Sequence, residues 1–213
     1  MSTEPSIQEI AKEQETHSKS GEITERLKPE VESSEVLHSG FLRLIKDTLK
    51  LPPSYQKRYE YYKLDTKGLT AVSVIARVKD SDNHLINIEY RHPTTQFLVG
   101  APGGVIDKGE SIITAAQREL LEETGYINHD LSKYVVVGSC FPWPSVTDLK
   151  LYFVAVHDVE YEKPPELEPS ENLQVQLMST QQIQDILKSQ SKDCTIDGSF
   201  TTAWLYYTLH SLK

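Results

Sequence analysis

Cysteine is scarce. Cys140 and Cys194 stand far apart, and no CxxC occurs. This excludes a disulfide framework and a zinc ribbon or finger as the organising feature, and makes a reduced interior the expected setting. Basic clusters are also missing, and the formal net charge is −9. A sequence-independent grip on a nucleic acid polymer needs a basic face, so nucleic acid is not an expected partner. Acidity leaves small phosphorylated ligands open, because bound metal cations reverse the local charge. No apolar run approaches a membrane span. The first thirty residues hold no signal-peptide core and carry the acids that a transit peptide lacks. The expectation is a soluble cytoplasmic protein without membrane partners, with the nucleus or an organelle left open. No internal repeat is visible.

What is present is a chain of 213 residues, 38% hydrophobic, able to bury a core without staples. Residues 1–34 are rich in Glu, Lys, Ser and Thr with few apolar positions, and predict a disordered or loosely helical acidic tail. Residues 35–64 read as an N-terminal β segment, with strands around the turn His38-Ser39-Gly40 and a Tyr-rich strand near Tyr55–Leu64. Residues 65–213 read as the main domain. Leu69–Val78 is a buried strand, paired as a hairpin with Leu85–Tyr90 across Asp80–Asn83. Phe97–Val99, Tyr134–Ser139, Leu149–Val159 and Leu173–Met178 are further strands. Helices are predicted from Ser111 to Thr124, Thr180 to Gln190 and Ser199 to Leu212. Glu160–Asn172 is acidic and Pro-rich and predicts a mobile loop. The class is mixed α/β.

The informative segment runs from Gly104 to Tyr126, GVIDKGESIITAAQRELLEETGY. Ser111 suits the N-cap of its helix and Gly125 the C-terminal cap. At about 100° per residue, Glu119, Glu122 and Glu123 share one face, and Ala116, Leu120, Thr124 and Ile113 form the opposite one. Like charges at i, i+4 are unfavourable, and acids in the last turn oppose the helix dipole. Divalent cations such as Mg²⁺ or Mn²⁺, which prefer oxygen ligands, would relieve both penalties. A solvated acidic face is the plain alternative. Arg118 is placed to hold one of the carboxylates.

These residues carry a resemblance. Gly104, Glu110, Arg118, Glu119, Leu120, Glu122, Glu123, Gly125 and Tyr126 fill the pattern of the Nudix box, with Tyr126 where an aliphatic residue is usual. The resemblance implies the Nudix fold: a mixed β-sheet sandwiched between α-helices, here with an N-terminal strand-rich extension. It also implies Mg²⁺ or Mn²⁺ bound by Glu119 and Glu123, with Glu122 as a ligand or close support and the carbonyl of Gly103 as a further donor. Glu110 has a structural part in that pattern, paired with Arg118.

Outside the box the chain resembles the ADP-sugar branch, which includes the ADP-ribose pyrophosphatases. Members of that branch hydrolyse the pyrophosphate bond, giving AMP and ribose 5-phosphate from ADP-ribose. Their N-terminal strands exchange contacts in a homodimer, so a homodimer is expected. Pro142, sixteen residues after Tyr126, matches a proline of the substrate loop, although a proline there also serves as a turn breaker. Arg91 matches an arginine that touches substrate, and a surface ion pair is its other reading. Tyr59 falls where an aromatic residue stacks on adenine; strand packing is its alternative. Glu171 resembles the loop glutamate that acts in catalysis beside Glu122 and Glu123, with Glu168 in reserve and a solvated loop as the other reading. The branch's usual glutamate ahead of the box is absent, because Gly100 stands in its place. Two other functions stay open: a Nudix hydrolase for another nucleoside diphosphate derivative, such as a dinucleotide or an oxidised nucleotide, and a nucleotide-binding Nudix module with little catalysis.

Overall fold

The computed structural model describes residues 28–51, 58–189 and 195–211. The chain divides into two compact units. The first holds the residues up to Asp65 together with Ser145–Thr147, and the second holds Thr66–Pro144 and Asp148 onward.

The first unit is an antiparallel three-stranded sheet of β1 (Glu30–Ser39), β2 (Arg43–Lys50) and β3 (Arg58–Asp65), in that order. The β1–β2 connection lies at the expected turn, where the Gly40 amide donates to the Leu42 carbonyl at 2.9 Å. β1 begins at Glu30, so Glu30–Ser34, read above as tail, are strand. The reason is cross-strand charge rather than apolar periodicity. Lys50 lies near Glu30 and Glu32, and Arg58 pairs with Glu32 at 2.6 Å. Asp47, buried on β2, accepts from Ser34 Oγ at 2.6 Å and pairs with Lys63 at 2.7 Å. These two partners hold its carboxyl below the usual range, the lysine first. Most of the sequence assigned to the tail, residues 1–27, lies outside the described residues.

The second unit is built on an eight-stranded mixed sheet. Its strands are β4 (Thr70–Val78), β5 (Asn83–Arg91), β6 (Gln96–Gly100), β7 (Tyr126–Ile127), β8 (Val135–Cys140), β9 (Lys150–Tyr161), β10 (Leu173–Ser179) and β11 (Thr195–Ile196). The order is β11-β6-β5-β4-β9-β7, with β10 also on β5 and β8 also on β9. β4–β9 and β11–β6 are parallel; the other pairs are antiparallel. The helices are α1 (Ile112–Thr124), α2 (Thr180–Ser189) and α3 (Gly198–Ser211).

β4 is apolar on both faces because both are covered. Ala71 and Ile75 pack with Phe153, Ile183, Phe200 and Trp204, which brings α2 and α3 to one side. Val72, Val74 and Ala76 pack with Ala115, Ala116 and Leu120 of α1 on the other. The sheet is thus sandwiched between helices, as the resemblance implies. The two-residue strands β7 and β11 are too short for side-chain alternation to reveal. β9 runs on to Tyr161, and 162–172 is irregular.

Candidate active site

The site begins with two strands that part. β4 and β5 pair only at Arg77↔His84. Nearer the start of β4, the segment after β6 takes that edge instead. The Val74 amide donates to the Pro102 carbonyl at 2.8 Å, Val72 to Gly104 at 2.9 Å, and Ile106 to Thr70 at 2.9 Å. The divergence opens a cleft of about 260 Å³ lined by Val72, Asn87, Glu89, Arg91 and Gly103, among others.

Two glycines make this approach possible. A Cβ on Gly103, whose φ is 153°, would stand 2.1 Å from the Val72 carbonyl oxygen, and one on Gly104 would stand 2.6 Å from Glu119 Oε1. The carbonyls of Pro102 and Gly104 accept from β4 amides, and that of Gly103, between them, does not.

α1 delivers its acids onto this loop. The helix starts where Ser111 Oγ accepts from the Thr114 amide and ends at Gly125 in the left-handed region. Glu119 and Glu123 are 7% and 4% exposed, so they form the edge of the buried face rather than a solvent face. Glu123 Oε2 accepts from the Gly103 amide and from Asn87 Nδ2, each at 2.8 Å. Burial pushes the Glu123 carboxyl up to about 8, with neighbouring Glu119 and Glu171 adding to the rise. Burial also raises Glu119, against the pull of Arg118. Glu122 stands more open, at 41% side-chain exposure.

Arg118 gathers three carboxylates. It donates to Glu110 at 2.9 and 3.1 Å, to Glu119 at 2.8 Å and to Glu122 at 3.0 Å, and it also reaches the Val105 carbonyl at 3.1 Å. The guanidinium holds Glu110 below its ordinary range. Among the described residues no three Asp, Glu, His or Cys side chains form a ready-made cation cage. The donor chemistry nevertheless suits a hard cation: two buried carboxylates against the Gly103–Gly104 segment, where the Gly103 carbonyl accepts no β4 amide. Glu123 has only neutral hydrogen-bond donors, and the buried Asn87 Oδ1 beside it has no partner.

The loop acids come to the same place. Glu171 is half-buried, and its charge raises Glu89, Glu119 and Glu123. Its carboxylate accepts from the Glu168 amide at 2.8 Å, while Glu168 is exposed. The Glu166 amide donates to the Glu122 carbonyl at 2.7 Å, tying this loop to the end of α1. Arg91 and Pro142 line the cleft, and Arg91 pairs with Glu89 at 2.7 Å. Tyr59 belongs to the first unit, where it stands exposed on β3 beside Tyr61.

Sequence reasoning passed over Asn87, Glu89 and Asp197, which also line the cleft. The first two had a signal. With Arg91 they alternate along β5, and a period of two puts all three on one face. Asp197 follows residues that carry no such pattern.

The NUDIX domain family matches residues 69–197, more than half of the chain. The chain belongs to the NUDIX family. The loop–helix turn of this NUDIX domain and most of the residues that line the cleft fall inside the matched region. An ADP-ribose pyrophosphatase of Saccharomyces cerevisiae is 36% identical over 105 residues, covering 48% of this chain and 44% of the yeast protein. An ADP-sugar pyrophosphatase of Mus musculus is 35% identical over 103 residues, covering 45% of this chain and 47% of the mouse protein. The chain thus spans about half the length of the curated relatives it matches. A crystal structure of an ADP compounds hydrolase superposes with a TM-score of 0.72 at 25% identity, covering 85% of this chain and 92% of that one. Among the described residues no helix is long and apolar enough to cross a membrane.

Proposed function

We propose that this NUDIX protein hydrolyses the pyrophosphate bond of a nucleoside diphosphate sugar in a metal-dependent reaction, with ADP-ribose the leading substrate and AMP and ribose 5-phosphate the products. The observation that carries this reading is Glu123: a buried carboxylate beside buried Glu119, seated on Gly103–Gly104 and met only by neutral donors. Buried charge of this kind calls for a cation. Glu119, Glu123 and the Gly103 carbonyl would hold Mg²⁺ or Mn²⁺, with Glu122 in support. When bound, such a cation neutralises pyrophosphate oxygens and lowers the pKa of water.

The chain's own residues do the rest. Arg91 orients a phosphate oxygen through its guanidinium, which Glu89 holds in place. Glu171, within electrostatic reach of the box acids, takes the proton of the attacking water as general base. Pro142 shapes the wall against the substrate. The names of the yeast and mouse relatives support the ADP-sugar class. A homodimer through the N-terminal strands is part of the reading. β1 is exposed along its whole length and carries Val31, Val36 and Leu37, and light scattering of the purified chain tests it.

The deciding experiment incubates the purified chain with Mg²⁺ and ADP-ribose beside a dinucleotide, a dinucleoside polyphosphate and an oxidised nucleotide. Preferential release of AMP from ADP-ribose, lost in Glu123→Gln, is the expected result. Preference for another member of the panel would move the substrate class. Nucleotide binding without turnover would make the chain a binding module.

A further inference from the structure

The wall of the cleft away from the box is unevenly furnished. Asn87 and Glu89 face it from β5, and Asp197 lines it just ahead of α3. Asn87 is 3% exposed, and its Nδ2 is spent on Glu123 while its Oδ1 has no partner. An acceptor buried without a donor is costly, and a ligand donor would remove that cost. Asp197 Oδ1 accepts from the Ser199 amide at 2.7 Å and from the Ser199 hydroxyl, which caps α3 and fixes the carboxylate. Its second oxygen takes no part in the cap.

Space is left between these acceptors. A Cβ on Gly100 would meet Asp197 Cβ at 3.9 Å and the Asn87 carbonyl oxygen at 4.0 Å, both ordinary contacts. The glycine therefore opens room that no backbone constraint demands. Leu98, Pro142 and Leu149 supply apolar surface to the same cleft. At about 260 Å³ the cleft lies below the roughly 300–1,000 Å³ of sites that enclose a drug-sized molecule, so it takes one ring rather than a whole dinucleotide.

Acceptors dominate this wall. Its one guanidinium, Arg91, is already paired with Glu89. Away from Arg91, a further anionic group would meet like charge at Asp197, whereas neutral hydroxyl donors would meet acceptors, with carbon surface for the ring. We propose that Asp197 is a specificity-determining residue that accepts hydrogen bonds from the hydroxyls of a pentose or hexose carried on the diphosphate. This rests on the nucleoside diphosphate sugar reading given above and assigns the group that reads the sugar.

The test compares kcat/KM for ADP-ribose with kcat/KM for the butyl ester of ADP, which keeps the diphosphate but has no hydroxyls on its second group. Asp197→Asn preserves an oxygen for the α3 cap and removes the charge. It is expected to lower the ratio of ADP-ribose to butyl ester by about tenfold, through KM, the size of one lost charge-assisted hydrogen bond. Gly100→Leu, which leaves the cap untouched and fills the room, is expected to lower the same ratio. Equal losses on both substrates, or an unchanged ratio in both variants, would overturn the role of Asp197 while leaving the proposed reaction standing. A wild-type chain that cleaves neither substrate would sink the proposed function and this inference with it.

Discussion

Among the described residues of the second unit, two acid-bearing hollows differ in kind. One, about 480 Å³, lies around the ends of β7 and β9, where Glu160 pairs with Lys79 and Glu162 with His129. The other is the smaller cleft lined by Gly103 and Gly104, the glycines against which Glu123 and Glu119 of α1 are buried. In the larger hollow Glu160 and Glu162 are open to water, one beside a lysine and the other beside an imidazole, and Asp130 and Asp158 line the same rim. Beside the smaller one, Arg118 serves three carboxylates, and Glu123 is left with an amide side chain and a backbone N–H. Size and the number of acids would favour the wrong hollow. Desolvation without a counter-charge separates them, because a buried carboxylate is stable only when a charge or strong donors meet it.

The sharpest way to break this comparison is at Glu123. Glu123→Gln is expected to reduce turnover of ADP-ribose with Mg²⁺ by about a thousandfold, the several kcal/mol that a bound metal supplies. A melting curve should show a fold at least as stable as wild type, since the neutral amide replaces a carboxyl whose charged form burial disfavours. Turnover close to wild type would place the chemistry elsewhere.

Arg118 comes next. Arg118→Ala leaves Glu119 buried without its cation, at an expected cost of about 3 kcal/mol in denaturant unfolding. Arg118→Lys should recover only part of this, because an ammonium cannot span Glu110, Glu119 and Glu122 as the planar fork does.

His84 sharpens the comparison from another side. It is as buried as Glu123 but packs against Trp204 and Tyr207, in the core. Burial lowers its pKa from 6.5 to about 4. The folded state therefore keeps the ring neutral while the unfolded chain takes up a proton below 6.5. Stability from this source is complete above that pH and drains away as pH falls toward 4, by about 3 kcal/mol at the limit. Unfolding measured from pH 7 to 4.5 should show the slope, and His84→Gln should flatten it. An unchanged slope would return the acid sensitivity to the carboxylates.

The smallest effect belongs to the larger hollow. Glu160→Gln is expected to shift Tm by no more than about 2 °C, as for an exposed ion pair. A fall in ADP-ribose turnover in that variant would mean the larger hollow contributes to the reaction.

These contrasts also explain what could be read from residues alone. The α1 box was legible because its chemistry is local: Ser111, the acids and Gly125 lie on one helix, where spacing converts directly into geometry. β4 was legible for the same reason, as a continuous apolar run. Burial of Glu119 and Glu123 was not legible, because it depends on Gly103 and Gly104 lying against β4, a contact made between distant segments. Asp197 became visible only once β11 paired with β6 and carried it to the cleft. Glu30–Ser34 read as tail because the charges that hold them belong to other strands, on Lys50 and Arg58.

Gly100 and Gly103 sit three residues apart on one segment and differ in what they allow. At Gly103 even a methyl group would run into the Val72 carbonyl, and the displaced amide would release Glu123. At Gly100 a Cβ meets nothing closer than 3.9 Å. One position is thus barred to variation and the other is vacant ground. A lineage, or a designer, seeking a new substrate can write on the second without disturbing the machinery anchored by the first.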